Sequence, residues 1–122
     1  MRRAREAIRE GLAGVWDSGG RTFVTFELLR HGEAAPDAWA QWIDGQLNLA
    51  WPRDDDPAAA LARLGVSLPA GAYVESWQGG SNVIVNALDV RIDDVAAFLD
   101  RWFQRVLDAE PKYEVEVRTD RA

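Results

Sequence analysis

The chain predicts an α+β fold: an antiparallel sheet of about five to six strands with helices packed on one face, in the order α-β-β-β-α-β-β-α-β. Three observations predict it. Several segments alternate apolar and polar residues with period two and are joined by short turns, which makes neighbouring strands antiparallel. Three other segments carry apolar residues at helical spacing. One turn, Asp44-Gly45, is the pair that a two-residue type I′ hairpin prefers, because both central residues need positive φ.

That turn sets the register of the hairpin Ala38–Trp51. Ile43 pairs with Gln46, Trp42 with Leu47, Gln41 with Asn48, Ala40 with Leu49 and Trp39 with Ala50. One face then carries Ala38, Ala40, Trp42, Leu47, Leu49 and Trp51, all apolar, and is expected to be core. The other carries Trp39, Gln41, Ile43, Gln46, Asn48 and Ala50, apolar bodies mixed with uncharged amides.

The remaining elements follow in order. A helix spans Arg3 to about Val15, with Ala4, Ala7, Ile8, Leu12 and Val15 on one stripe and Gly11 and Gly14 weakening its second half. Trp16 and the loop Asp17-Ser18-Gly19-Gly20 end it. A strand at Arg21–Arg30 alternates Val24, Phe26 and Leu28 with Phe23, Thr25, Glu27 and Leu29. His31–Asp37 reads as a loop into the hairpin. A short helix follows, capped by Asp56, opened by Pro57 and closed by Gly65, with Val66 folding back on Leu61. Strands at Ala72–Gln78 and Asn82–Val90 flank a Gly79-Gly80-Ser81 turn. The helix Asp93–Ala109 presents Val95, Phe98, Leu99, Trp102, Phe103, Val106 and Leu107 as a broad apolar stripe, and Pro111 stops it. Tyr113–Arg118 alternates into a terminal edge strand whose glutamates discourage further pairing. The helices should cover the face bearing Val24, Phe26, Trp42, Leu47 and Leu49.

Composition bounds the function. A chain of 122 residues, 48% hydrophobic and 28% charged, is expected to be one globular domain. The net charge of −6 disfavours nucleic acid or an anionic membrane as partner, since phosphate binding needs clustered cations. Arg2, Arg3, Arg5 and Arg9 do cluster, but Glu6 and Glu10 sit among them at helical pairing distances, as on a solvated helix face. Nothing approaches a spanning helix, and the first residues lack the apolar core of a secretory signal, so a cytoplasmic location is expected. Zero cysteines remove disulfides, thiol catalysis and thiolate metal sites.

Catalytic chemistry finds little to work with. Asp54-Asp55-Asp56 could offer hard-cation ligands, but carboxylates just before Pro57 are better read as initiating a helix. His31 is the only histidine, so a hydrolytic triad would have to be built on a loop residue. The glycine pairs at 19–20 and 79–80 lack the strand–loop–helix context of a phosphate cradle. Glu27 and Glu75 could face each other across the open sheet and shift one another's pKa, though two solvated carboxylates are the simpler reading. No catalytic residue, metal or cofactor is therefore expected.

The six tryptophans are more informative. Trp42, Trp51 and Trp102 fall on core faces, whereas Trp39 falls on the opposite face beside Gln41, Ile43, Gln46 and Asn48. Phe23, Thr25 and Leu29 share that face if the two strands are neighbours. An aromatic, amide-rich and uncharged surface matches the centre of a protein interface, so these eight residues are the candidate partner-binding site.

The element order, carried by the strand Thr22–Leu29, the hairpin Ala38–Trp51, the short helix closed by Leu64-Gly65 and the helix Asp93–Ala109, resembles the fold of type III secretion chaperones and the related YbjN and TY-Chap domains. The terminal strand Tyr113–Arg118 is an addition to that pattern. The resemblance implies a non-enzymatic protein that holds another polypeptide, often as a homodimer, on an exposed sheet face or apolar helix stripe. It transfers no individual residue. The expectation is therefore a chaperone- or adaptor-like binding module, with a protein partner or self-association. An acidic immunity protein that neutralises a basic toxin is the alternative within the binding class. A small enzyme or ligand carrier, with a pocket lined by Trp39, Trp77 and Tyr73, is the alternative from another class.

Overall fold

A computed structural model describes residues 3–122; Met1 and Arg2, the latter a member of the basic cluster, lie outside the described residues. Among these, six strands form one antiparallel sheet, in the spatial order β4-β5-β3-β2-β1-β6. The elements are α1 (Ala4–Val15), β1 (Thr22–Arg30), β2 (Glu33–Ile43), β3 (Gln46–Trp51), α2 (Pro57–Leu64), β4 (Tyr73–Gln78), β5 (Ser81–Asn86), α3 (Ile92–Arg101) and β6 (Glu114–Arg121). The order is the α-β-β-β-α-β-β-α-β that the sequence predicts, and the sheet does not close. No helix is long and apolar enough to cross a membrane among the described residues.

The β2–β3 hairpin has the expected register, from Ile43↔Gln46 to Ala40↔Leu49, around Asp44 and Gly45 at φ 44° and 83°. Gly45 has a second reason to lack a side chain. A Cβ there would stand 2.9 Å from the Cα of Leu88, where Ala87 N–H donates to the Gly45 carbonyl.

The segment 31–37 is not a loop. His31 and Gly32, at φ 54° and 79°, make a second two-residue turn, and β2 begins at Glu33. Pro36 is accommodated because the register jumps there, from Glu27↔Trp39 to Leu29↔Ala34, so its missing N–H removes no ladder bond. Strand β5 ends at Asn86 rather than Val90, because Val90 N–H turns back to the Ala87 carbonyl. The long helix also ends early. After α3 the backbone widens into a π-helical turn, Trp102–Val106, with Leu107 N–H reaching the Trp102 carbonyl, and Asp108 at φ 56° breaks it.

The short helix α2 is punctuated as its sequence requires. Asp56 accepts from Ala58 N–H at 2.9 Å, Gly65 takes φ 71°, and Val66 N–H bonds the Leu61 carbonyl at 3.0 Å. The terminal strand β6 does lie at an edge, paired with β1 from Leu29↔Glu114 to Thr22↔Arg121.

The helices pack on the inward face. Val24, Phe26, Leu28, Ala38, Ala40, Trp42, Leu47, Leu49, Trp51, Val83 and Val85 are buried there against Ile8 and Leu12 of α1 and Val95, Phe98 and Leu99 of α3. Helix α1 crosses so closely that a Cβ on Gly11 would fall 2.6 Å from the Phe26 ring. Trp102 tilts against Trp51 at 5.7 Å and donates its indole N–H to the Ala50 carbonyl, tying the π-helical turn to β3.

Candidate functional site

With the helices on one side, the outward face of the sheet is left as a surface. Alternation puts Phe23, Thr25, Glu27 and Leu29 of β1 on it, opposite the inward Val24, Phe26 and Leu28. The register then carries Trp39, Gln41 and Ile43 of β2 and Gln46 and Asn48 of β3 to the same side. All eight residues assigned to the interface from sequence, Phe23, Thr25, Leu29, Trp39, Gln41, Ile43, Gln46 and Asn48, are thus brought together.

Their exposure is graded. Gln46 is exposed, Phe23, Leu29, Trp39, Gln41, Ile43 and Asn48 are half-buried, and Thr25 is 3% exposed. Ala50 also points outward yet is 2% exposed, paired with Asn82 of β5, whereas the β2–β3 ladder stops at Ala40↔Leu49, short of the expected Trp39–Ala50 pair.

The uncharged polar groups are joined across strands. Asn82 Nδ2 donates to Asn48 Oδ1 at 2.8 Å, Asn48 Nδ2 to Gln41 Oε1 at 3.4 Å, and Gln41 Nε2 to Thr25 Oγ1 at 3.1 Å. The ladder therefore crosses β5, β3, β2 and β1 with every amide donating in the same direction. Each carboxamide thus spends one of its two donor hydrogens on the next rung. At the β4 end, Glu75 accepts from Asn86 Nδ2 at 3.0 Å and Gln46 Nε2 at 3.3 Å. Sequence reasoning missed Asn82, Ile84 and Asn86 as members of this face. Their signal was the alternation with Val83, Val85 and Ala87.

Charge gathers towards the β6 side, apart from Glu75 on β4 and Glu27, which stands on β1 opposite Trp39. On β6 the outward residues Glu114, Glu116, Arg118 and Asp120 pair with Leu29, Glu27, Thr25 and Phe23. Arg118 holds the rim together, donating to Glu27 Oε1 at 2.8 Å and to Asp120 Oδ2 at 3.1 Å. Glu27 and Glu75 do share the open face, but they do not face each other. They stand on β1 and β4, four strand spacings or roughly 19 Å apart.

The pocket built from Trp39, Trp77 and Tyr73 does not form. Register shifts at Glu75, so Trp77 pairs with the inward Val83 while Tyr73 pairs with the outward Asn86. The two aromatics point to opposite sides of β4, and Trp39 lies three strands away from it. Two concavities lie elsewhere. One of about 540 Å³ is lined by Arg3, Arg5, Asp100, Gln104, Lys112 and Tyr113, and one of about 240 Å³ by His31, Asp108, Glu110 and neighbours.

The aspartate run serves the fold. Asp55 is gripped by Arg53, in a two-point contact at 2.9 Å, and by Arg63 at 2.7 Å. The Arg53 hydrogen bonds hold its carboxyl down at about 2, below its ordinary 3.8. Asp56 is occupied in capping α2. Among the described residues no group of three or more His, Cys, Asp or Glu side chains is placed to hold a metal ion. What the open face offers chemically is apolar contact and neutral hydrogen bonding, bordered by carboxylates. No protein family, curated protein or solved structure matches this chain.

Proposed function

We propose that the protein is a non-enzymatic, chaperone- or adaptor-like module that holds a partner polypeptide on its open sheet face. One observation carries this reading: half-buried Phe23, Trp39 and Ile43 and the Thr25–Gln41–Asn48–Asn82 ladder share a face over which no helix packs. A solvated sheet face is ordinarily polar and often charged, whereas here Trp39, Gln41, Ile43, Gln46 and Asn48 are uncharged and the one carboxylate beside them, Glu27 opposite Trp39, is paired with Arg118. Half-buried aromatics with preset amides suit a polypeptide, whose backbone supplies donors and acceptors between its side chains. The resemblance of the element order to type III secretion chaperones suits the same role, which we place in the cytoplasm.

The acidic rim on β6 favours a second reading within the binding class. Glu114 and Glu116 border the site on β6, beside the Arg118-paired Glu27 and Asp120, and this acidic excess complements a basic partner, as an immunity protein bound to a basic toxin would require. A complex that weakens steeply with salt would select this reading.

The test is affinity isolation from the source organism with three baits: the wild type, Trp39→Glu, and Ala13→Glu on the exposed side of α1. A protein retained by the wild type and by Ala13→Glu but lost from a folded Trp39→Glu is the expected result. Equal retention by all three would refute the proposal.

A further inference from the structure

The sheet has two free edges, and they are built differently. Strand β6 carries Glu114, Glu116, Arg118, Asp120 and Arg121, charges that discourage another strand from docking. Strand β4, Tyr-Val-Glu-Ser-Trp-Gln, has no proline or lysine and a single charge. That charge is drawn away from the edge, since both oxygens of Glu75 accept from amides on the inner strands β5 and β3. Tyr73 and Trp77 are 55% and 42% exposed, two of the large apolar side chains most open to solvent.

The bulge gives β4 an unusual pattern. Val74 pairs with Val85 and Trp77 with Val83, so both lie on the inward side. Tyr73, Ser76 and Gln78 pair with outward Asn86, Ile84 and Asn82, and Glu75 reaches outward to Gln46 and Asn86. Read along the strand, the sides are out, in, out, out, in, out, which is the same in both directions. A regular strand alternates strictly and matches this pattern on only one side of the bulge. A second copy of β4, laid antiparallel about a two-fold axis between Glu75 and Ser76, matches it at all six positions. Tyr73 then faces Gln78 of the second copy, Val74 faces Trp77, and Glu75 faces Ser76. Sliding the pair by one residue either way sets Val74 and Trp77 against outward-facing residues.

We infer that this protein forms a two-fold homodimer by antiparallel pairing of β4 with β4 of a second copy in that register. Such an interface is isologous, and symmetry repeats the Val74–Trp77 contact. The choice of edge follows from charge: two chains of net charge −6 approach best along their least charged edge. The result is one continuous twelve-stranded sheet whose two open faces are joined. The inference does not depend on what that face binds.

The cysteine-free chain permits a register-specific test. A Tyr73→Cys chain mixed with a Gln78→Cys chain should form a disulfide-linked pair on mild oxidation, while either chain alone stays unlinked. In sedimentation velocity over a concentration series, wild type should dimerise. Trp77→Lys should raise the dissociation constant about tenfold or more with an unchanged circular dichroism spectrum. Trp39→Glu should leave the dimer intact, which separates this interface from the partner-binding face. A monomeric wild type, a dimer indifferent to Trp77→Lys, or a dimer broken by Trp39→Glu would each overturn the inference.

Discussion

Trp16 lies flat on Trp42, with ring centroids 4.4 Å apart and planes 3° from parallel. The stack closes the end of the core where α1 meets the β2–β3 turn, and it confines the Trp42 indole completely enough that its buried Nε1 has no hydrogen-bond partner. Trp51 and Trp102 differ: their indoles donate to the carbonyls of Asp55 and Ala50.

That difference predicts an order of stabilities. Trp42→Phe loses apolar area but also removes an unsatisfied buried donor, so it should cost about 1 kcal/mol or less. Trp102→Phe loses both area and a made hydrogen bond at a fully buried site, and should cost about 2–3 kcal/mol. Urea unfolding of the two variants measures both. Equal costs would mean that the Trp42 N–H is satisfied after all.

The glycines of α1 should respond oppositely to alanine. At Gly14 a Cβ meets nothing within 4 Å, so Gly14→Ala should stabilise by about 0.5–1 kcal/mol through helix propensity. At Gly11 the same methyl would press on the Phe26 ring at 2.6 Å and on Val117 at 2.9 Å. Gly11→Ala should therefore destabilise by about 1–3 kcal/mol. Thermal melts that move in the same direction for both would contradict this crossing of α1 over β1 and β6.

Two groups link the stability of the fold to pH. Asp55 has a folded pKa below its ordinary value, so its stabilising effect is complete above about 3.8 and is lost as pH falls towards 2. Asp55→Asn should be less stable at neutral pH and lose less of its stability over that acid window. Tyr113 is shifted the other way. Burial first, and then its hydroxyl bond to Asp100 at 2.6 Å, push the phenol above its ordinary 10. Folding thus favours the protonated phenol, and stability should fall as pH rises past 10. Tyr113→Phe should flatten that alkaline decline in denaturant midpoints measured across pH.

Much of this architecture was legible because local and global signals agree. Asp44-Gly45 set a register, and strict alternation on both strands then assigned the faces of the twelve hairpin residues Ala38–Ile43 and Gln46–Trp51 together. Asp56, Pro57 and Gly65 marked α2 by backbone chemistry alone. The failures have physical causes. His31-Gly32 is a turn as tight as Asp44-Gly45, but Pro36 beyond it argues against a strand, and only the register jump reconciles the two. The side on which Trp77 lies depends on one extra residue at Glu75, which alternation cannot reveal. The widening of the last helix begins at Trp102, whose indole bonds the Ala50 carbonyl, a tertiary contact that helical periodicity does not carry. The eight residues of the open face were found together because each follows from parity within a correctly placed strand. Asn82, Ile84 and Asn86 were not joined to them because the partner of β5 is β3, a neighbour no turn announces.

The central claim is that Trp39 anchors a partner polypeptide on the open face. Its most direct test is the affinity of the recovered partner, titrated by calorimetry into purified wild type and Trp39→Glu. A central aromatic anchor predicts at least about a 30-fold weaker dissociation constant for Trp39→Glu, with Ala13→Glu unchanged. Equal affinity for wild type and Trp39→Glu would contradict it.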